Sequence, residues 1–264
     1  MIHRPSVAFI SFLKGARATF MIGGPSLLFK QIARYLGSIL FSERFYSLPI
    51  VRSIRETAVE KSVFIDIGAH FGEEVTAVAN QFSYCVAIEP SRDNVKQLRA
   101  RIGALGLNNC KVYECALAEK EGSGELFVNP ENSGDTSLVQ DGSRVRAEKV
   151  IIRTLDGILN ESQLNAPFVI KIDVQGYEVA VIEGGHNTLT KTLGIISEFW
   201  PYGIRLAGYS ASYYLDLLSK YGFVPYWPNG RPFSHEILKK MCNVGSADPY
   251  VVLDILFLRA KKLD

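Results

Sequence analysis

The feature that most constrains the fold is an apolar run with an acidic residue near its end, followed by two glycines four positions apart. It occupies residues 63–72 and reads Val-Phe-Ile-Asp-Ile-Gly-Ala-His-Phe-Gly. Such a run predicts a buried strand, a glycine turn and a helix start, which together can hold a nucleotide-like ligand through backbone groups. The G-x-G-x-x-G fingerprint of dinucleotide binding is absent, because Asp66 stands in the place of its first glycine.

Strands and helices alternate from Ser62 onward, which predicts a mostly parallel sheet covered by helices on both faces. We expect seven strands in this sheet, the last two forming a pair in which one strand is antiparallel to the rest. Their expected ranges are 63–67, 84–89, 111–116, 168–173, 195–199, 223–227 and 251–259. Helices are expected at 72–81, 94–105 with Ser91 as N-cap, 177–189 and 211–220. An inserted strand pair is expected at 124–128 and 149–154, joined by a polar loop.

The first 60 residues differ from the rest and predict a domain boundary, with a helical extension at 1–60 and the main domain at 61–264. The extension holds eight Lys and Arg against three Asp and Glu, with apolar residues at helical spacing. Two interpretations stay open: a lid that packs on the main domain, or a basic amphipathic anchor at a membrane surface. Its uncharged stretches are too short to span a bilayer, which takes about 20 apolar residues.

Composition narrows the class of partner and the compartment. The main domain is mildly acidic although the whole chain has a net charge of +2, which argues against a nucleic-acid partner. The four cysteines form no C-x-x-C pair and no metal-ligand spacing with the histidines. Reduced thiols are typical of the cytoplasm, so we expect a cytoplasmic protein, with contact at the inner membrane surface as the anchor alternative.

Acidic residues stand at the predicted strand ends, where open α/β sheets bind their ligands. The five ends carry Asp66, Glu89, Ala116, Asp173 and Glu198. Because an unpaired carboxylate is costly to bury, their recurrence favours a binding site at this edge of the sheet. The alternative is that each carboxylate accepts hydrogen bonds from a neighbouring turn or helix start.

The first two strand ends predict an adenosine site. Glu89 follows Gly68 by 21 residues, and a carboxylate there can accept hydrogen bonds from both ribose hydroxyls. Enzymes that use nicotinamide or S-adenosylmethionine share this device. Gly68, Ala69 and Gly72 would let the backbone approach the ligand closely. Asp66 would orient the turn or meet the far end of the ligand through water.

A second motif, Lys171-Ile172-Asp173 followed by Gly176 and Glu178, places charges in an apolar strand. Together with the other motifs, in this order, it resembles the FkbM family of methyltransferases over roughly residues 62–223. The motifs that carry the resemblance are 66–72 with Glu89, Thr154-Leu155-Asp156, the 171–178 motif, Glu183-Gly184-Gly185 and Ser197-Glu198.

The resemblance implies a class I methyltransferase (Rossmann-like) fold, S-adenosylmethionine as cofactor and O-methylation of a sugar, glycolipid or natural-product hydroxyl. By position, the cofactor-binding residues would be Asp66, Gly68, Ala69, Gly72 and Glu89, and Ala116 is added as the end of the third strand. The chain departs from the family at two positions, His70 for the usual Asn and Gln175 for the usual acidic residue.

Methyl transfer to oxygen is an in-line displacement, and a hydroxyl needs help to lose its proton. The candidate catalytic residues are Asp173, Glu198 and His70. Asp173 and Glu198 could hold a divalent cation such as Mg²⁺ that activates the hydroxyl. Alternatively, Asp173 or His70 takes the proton directly, or His70 merely caps the helix or touches the cofactor.

Aromatic residues gather after the fifth predicted strand and would either stack on a sugar acceptor or form core. They are Phe199, Trp200, Tyr202, Tyr209, Tyr213, Tyr214, Tyr221, Tyr226 and Trp227, with Arg205 as a possible contact for an acidic group. We expect the polar loop at 134–137 to border the site. Two rival functions stay open: an inactive partner-binding module, and a nicotinamide-dependent oxidoreductase, which lacks support because no Tyr-x-x-x-Lys pair is present. The oligomeric state stays open as well.

Overall fold

The computed structural model describes residues 52–129, 132–140, 142, 144, 146–249 and 251–260. Most of the expected N-terminal extension therefore lies outside the described residues. Its last part is helical at residues 52–57. Ile54 from this helix is fully buried in the same apolar cluster as Phe64 of the first strand, so this segment packs on the main domain.

Seven strands form the main sheet in the order β10-β11-β9-β8-β1-β2-β3. Neighbouring strands are parallel except at β11, which runs antiparallel to both β9 and β10. The sheet is thus mixed, with one antiparallel strand as expected from the late strand pair. The strands are β1 Val63–Ile67, β2 Tyr84–Ile88, β3 Cys110–Tyr113, β8 Phe168–Ile172, β9 Thr192–Phe199, β10 Phe223–Tyr226 and β11 Leu253–Arg259.

Helices cover both faces of this sheet. One face carries α1, α2 and the helical residues 52–57, around buried side chains such as Val75 and Leu98. The other face carries most of the remaining helices, around a larger cluster that includes Ile170 and Tyr214. The helices are α1 Glu73–Val78, extended by a 3-10 turn at Ala79–Gln81, α2 Arg92–Ala104, α3 Leu155–Glu161, α4 Glu178–Glu183, α5 His186–Thr190, α6 Pro201–Leu206, α7 Ala211–Lys220 and α8 His235–Gly245.

A second sheet of four strands, in the order β4-β7-β5-β6, is inserted before β8. Its strands are β4 Ala116–Leu117, β5 Gly122–Asn129, β6 Asn132–Ser137 and β7 Arg146–Arg153. The antiparallel pairing of β5 and β7 confirms the predicted inserted pair. Two predictions were wrong: the third strand does not continue to Ala116, which belongs to this second sheet, and the polar loop contains β6, which pairs with β5.

The second sheet is fastened to the main domain through β6 and the segment after it. The fully buried Arg144 guanidinium donates to Asp135 Oδ1 from Nε at 3.0 Å and from Nη2 at 2.5 Å. Arg144 Nη1 also donates to the Val139 carbonyl at 2.8 Å. The Ser137 hydroxyl lies 2.9 Å from the Gln175 carbonyl oxygen that accepts from it, in the turn after β8. The inserted sheet therefore stands beside the carboxyl end of β8.

A further helix prediction was wrong in extent. The expected helix at 177–189 is split into α4 and α5 at Gly184, where an added Cβ would come 2.2 Å from the Ala118 carbonyl oxygen. The helix α8, between the last two strands, was not among the expected helices. Within the described part of the chain, no helix is both long and apolar enough to cross a membrane.

Candidate active site

A cavity of about 270 Å³ opens at the carboxyl ends of β1, β2 and β8, and β6 closes its opposite side. Six of the predicted site residues line it, namely Gly68, His70, Glu89, Ala116, Asp173 and Glu198. The predicted border at 134–137 is also present, through Gly134, Thr136 and Ser137. Three predicted cofactor residues, Asp66, Ala69 and Gly72, are not in the wall.

Glu89 is 2% exposed and its carboxylate is held in one orientation. Its Oε1 accepts hydrogen bonds from the Ser91 backbone N–H at 3.0 Å and from Asn94 Nδ2 at 3.1 Å. Its Oε2 accepts from the His70 backbone N–H at 2.9 Å. Burial raises the pKa of Glu89, and these three donors oppose the rise. Each oxygen of a carboxylate has more than one lone pair, so this fixed group can still accept hydroxyl hydrogen bonds from the cavity.

The two glycines of the first motif serve packing within the protein. Both have φ of +80°, the left-handed region that favours glycine. A Cβ on Gly68 would lie 1.8 Å from the Asp173 carbonyl oxygen, so the absent side chain lets the ends of β1 and β8 meet. A Cβ on Gly72 would lie 2.3 Å from Leu98 Cδ1, so Gly72 lets the start of α1 pack on α2. Ala69 is a buried core residue whose N–H donates to Ile88.

Asp66 lies beneath the wall rather than in it. It is fully buried, and neither carboxylate oxygen has a hydrogen-bond partner among the described residues. It stands in register with Lys171 on the neighbouring strand β8. Burial raises the pKa of Asp66 to about 7, and the charge of Lys171 opposes that rise. This position puts Asp66 beside Lys171 and gives no support to a direct contact with the ligand.

Asp173 is held by a donor on each carboxylate oxygen. Lys171 Nζ lies 3.3 Å from Oδ2, and Gln175 Nε2 donates to Oδ1 at 2.8 Å. The Asp173 side chain remains 32% exposed towards the cavity. Burial acts to lower the pKa of Lys171, but surrounding carboxylates, Asp173 first, raise it well above its ordinary value. Gln175 therefore supplies a donor where the family usually has an acidic residue.

Carboxylates dominate the rest of the wall. Asp254 on β11 lies opposite Glu198 on β9, and both line the cavity with Glu73 and Glu74 of the α1 helix. Among the described residues, Lys171 is the one lysine or arginine in the wall. Sequence reasoning missed Asp254 and Glu74. The sequence could have indicated Asp254, because this residue interrupts an apolar strand as Lys171 does. Nothing in the sequence distinguished Glu74 from a surface residue on a helix.

The predicted metal site gains no support. Across the residues that the structure describes, no group of three or more His, Cys, Asp and Glu side chains has an arrangement that could hold a metal ion. Asp173 is instead engaged by Lys171 and Gln175. We therefore derive no step from a cation at Asp173 and Glu198.

His70 and Arg205 differ from expectation in their surroundings. His70 has φ of 48°, and its ring stacks on Phe71 with centroids 3.6 Å apart. The clearest contact of His70 with the site is its backbone N–H bond to Glu89. Arg205 donates to the Ser246 carbonyl at 2.7 Å and is absent from the cavity wall. This position gives no support to the predicted contact with an acidic group of the acceptor.

The fold and this site define a methyltransferase. Residues 66–225 match the family described as the methyltransferase FkbM domain, so the chain belongs to that family of S-adenosylmethionine-dependent enzymes. The chain is 27% identical over 191 residues to the 2-O-methyltransferase NoeI of Sinorhizobium fredii (strain NBRC 101917 / NGR234). That similarity spans 64% of this chain and 75% of the relative.

A solved structure shows the same fold. It is the methyltransferase FkbM from Methylobacillus flagellatus KT, with a TM-score of 0.52 and 15% sequence identity. The similarity covers 95% of this chain and 58% of that one, so this chain spans less than two thirds of its structural relative.

Proposed function

We propose that this protein transfers the methyl group of S-adenosylmethionine to a hydroxyl of a neutral sugar-containing acceptor. The observation that carries the proposal is the position of Asp173, held by Lys171 and Gln175 in the cavity that Glu89 also lines. The cavity thus joins a carboxylate suited to ribose hydroxyls with a second one suited to receive a proton. The similarity to NoeI, a 2-O-methyltransferase, supports transfer to oxygen.

The residues of the wall fit S-adenosylmethionine better than a dinucleotide. Glu89 would bind the ribose, and Pro90, Ala116 and Leu117 offer an apolar surface for the adenine. The sulfonium group is positively charged, and a wall rich in carboxylates favours it electrostatically. A nicotinamide dinucleotide carries a negatively charged pyrophosphate, which the same wall would repel. The electrostatics therefore speak against the oxidoreductase alternative.

Asp173 is proposed as the group that accepts the proton. When bound, S-adenosylmethionine supplies an electrophilic methyl group. Methyl transfer to the acceptor oxygen would break the carbon–sulfur bond of the cofactor held by Glu89, and Asp173 would take the hydroxyl proton. Lys171 and Gln175 fix the carboxylate, which limits the reorganisation needed during the reaction. His70 is proposed to act through its backbone hold on Glu89.

Charge in the cavity also suggests the class of acceptor. Glu198, Asp254 and Glu74 can accept hydrogen bonds from sugar hydroxyls, which serve as donors. A phosphorylated or uronic acid acceptor would instead bring negative charge against these carboxylates, at a cost that a partly buried site makes larger. We therefore propose a neutral acceptor, and we place Glu198 in acceptor binding.

The organisation of the chain is proposed to follow the sequence boundary, with a catalytic domain at 61–264 and an extension at 1–60. The buried position of Ile54 favours the packed lid, rather than the membrane anchor, for the end of that extension. A cytoplasmic location remains part of this proposal, based on the unpaired cysteines.

The test is methyl transfer from radiolabelled S-adenosylmethionine to a mixture of neutral glycans, with calorimetric titration of S-adenosylhomocysteine in parallel. Asp173→Asn should reduce transfer by about 10²–10⁴-fold, the range for loss of a general base. Its affinity for S-adenosylhomocysteine should stay within a few fold. Asp93→Asn, an exposed aspartate on α2, is the control and should match the wild type.

Two results would contradict the proposal. Undiminished transfer by Asp173→Asn would remove Asp173 from the mechanism. A wild-type protein that binds no S-adenosylhomocysteine would favour the inactive partner-binding module.

A further inference from the structure

Outside the cavity, two tyrosines meet one carboxylate. Tyr213 Oη donates to Glu183 Oε1 at 2.7 Å, and Tyr209 Oη donates to Glu183 Oε2 at 3.4 Å. The two rings are stacked, with centroids 6.5 Å apart and planes within 8° of each other. Tyr213 is 37% exposed. Both rings are therefore anchored at their hydroxyl ends.

This pair is connected to the cavity by the short helix α4. Tyr177, which caps the start of α4, lines the cavity, and Glu183 ends the same helix. The two positions are six residue steps apart along the helix, about 9 Å at 1.5 Å per residue. The distance corresponds to one or two sugar units. A strip of tyrosines and carboxylates thus extends outward from the rim of the cavity.

The glycine that ends α4 brings a second carboxylate to the strip. A side chain on Gly184 would collide with the Ala118 carbonyl oxygen, so its absence lets the segment after β4 approach this end of α4. Glu119 follows directly. Burial raises the pKa of Tyr177, and the Glu119 carboxylate adds to the rise. The same two causes, in the same order, raise the pKa of Tyr209 to about 12. The segment that carries Glu119 therefore lies beside this end of α4, and the charge of Glu119 acts on both tyrosines.

We infer that this strip, formed by Tyr177, Tyr209, Tyr213, Glu183 and Glu119, binds the sugar unit next to the one that is methylated. The inference rests on the proposed function, because it takes the acceptor to be a neutral glycan. Tyrosine rings offer apolar faces to the C–H side of a sugar ring, and carboxylates accept hydrogen bonds from its hydroxyls. Rings fixed in advance lose little conformational entropy on binding.

A purely structural role predicts something different. If the two hydroxyls served only to attach Tyr209 and the start of α7 to α4, the hydrogen bonds to Glu183 would be needed for the structure. The ring faces would then have no effect on glycan retention. Phenylalanine at these positions keeps the rings and removes the bonds, whereas alanine removes both. Comparing the two substitutions separates the roles.

The experiment is a glycan array probed with labelled protein in the presence of S-adenosylhomocysteine. The array carries neutral monosaccharides and oligosaccharides, sialylated glycans and phosphorylated sugars. The wild type should retain neutral oligosaccharides above monosaccharides and anionic glycans. Tyr209→Ala/Tyr213→Ala should lose at least tenfold in retention, and Tyr209→Phe/Tyr213→Phe at most about threefold. Ser219→Ala, on the exposed side of α7, is the matched control and should behave as wild type.

Several results would overturn the inference. These are equal retention by the alanine variant and the wild type, equal loss in the alanine and phenylalanine variants, a preference for anionic glycans, or no glycan retained by the wild type. Calorimetry of each variant with S-adenosylhomocysteine separates this failure from that of the proposed function. Intact cofactor binding with unaffected retention removes the strip alone, whereas absent cofactor binding in the wild type removes the proposed function.

Discussion

Glu198 and Asp254 lie directly opposite each other on the antiparallel strands β9 and β11, and both line the cavity. Like charges in such a cross-strand pair are destabilising. Lys171 lies close enough to the Asp254 carboxylate for that charge to raise its pKa, and it contacts Asp173. The buried ammonium of Lys171 therefore offsets the repulsion among the carboxylates around it. Without that charge, the clustered carboxylates would destabilise the folded protein.

Removing that ammonium should be strongly destabilising. Lys171→Met leaves Asp66 and Asp173 without their cation, and breaking a buried pair in this way costs about 3–5 kcal/mol. Urea unfolding at pH 7 measures the change in the free energy of unfolding. Lys111→Met, which removes an exposed lysine 3.9 Å from Glu161, is the control and should change it little. Comparable losses in the two variants would refute the balancing role of Lys171.

Substitution of Glu89 should weaken cofactor binding. Glu89→Gln removes the charge that would accept the ribose hydroxyls and places an amide among three N–H donors. A hydrogen bond to a charged group contributes about 1.5–3 kcal/mol, or roughly a tenfold to hundredfold change in Kd. Calorimetry with S-adenosylhomocysteine gives the Kd, with the surface variant Glu114→Gln for comparison. An affinity within threefold of wild type would exclude the ribose contact.

Gly68 and Gly106 form a matched pair for testing close approach. Both have positive φ, at +80° and +64°, but a Cβ on Gly106 would meet nothing within 4 Å. Gly106→Ala should therefore cost only the backbone strain, about 1–2 kcal/mol. Gly68→Ala adds a collision with the Asp173 carbonyl oxygen and should lower the free energy of unfolding by several kcal/mol in chemical denaturation. Equal effects would mean that β1 and β8 can separate without cost.

Stability should depend on pH through Glu178. This residue is fully buried, and burial raises its pKa to about 7, against about 4.3 in an unfolded chain. Between these values the folded state binds the extra proton, so this residue makes the free energy of unfolding fall as pH rises from about 4 to 7. The slope due to one group is at most about 1.4 kcal/mol per pH unit.

Glu178→Gln should reduce the slope of that part of the profile and leave the contribution of Asp66, whose pKa burial also raises to about 7. The carbonyl oxygen of the variant side chain can keep the bond from the Gly176 N–H that Glu178 Oε1 accepts at 3.0 Å. Urea unfolding at pH 4.5, 5.5, 6.5 and 7.5 gives the profile, and the exposed Glu125→Gln serves as control. A variant that retains the wild-type slope would show that Glu178 does not carry the proton.

Secondary structure was predictable where local signals agreed. The strand β1 and the helix α7 have the predicted bounds. A buried run in which Asp66 is the one polar residue defines β1, and the Ser210 side chain caps the start of α7. The strand β6 was not predictable, since its sequence Asn-Ser-Gly-Asp-Thr-Ser has low strand propensity. Its pairing with β5 is a long-range contact that no local pattern reveals.

The positions of the site residues on the parallel strands were predictable from the sequence. The positions of the others were not. Glu89, Asp173 and Glu198 lie near strand ends that share one edge of the sheet, so the rule for open sheets located them. Asp254 belongs to an antiparallel strand, whose beginning meets that same edge, and the rule does not cover it. For Gly72, the sequence indicated a constraint but did not reveal its contact with the Leu98 side chain.

The break between β3 and β4 divides the cavity wall between two sheets that are hydrogen-bonded separately. Strand ends of the main sheet supply Glu89 and Asp173, whereas β5 and β6 supply the facing side through Leu126 and Thr136. Insertions or exchanges in β5 and β6 can therefore reshape the facing side of the cavity while Glu89 and Asp173 keep their hydrogen bonds.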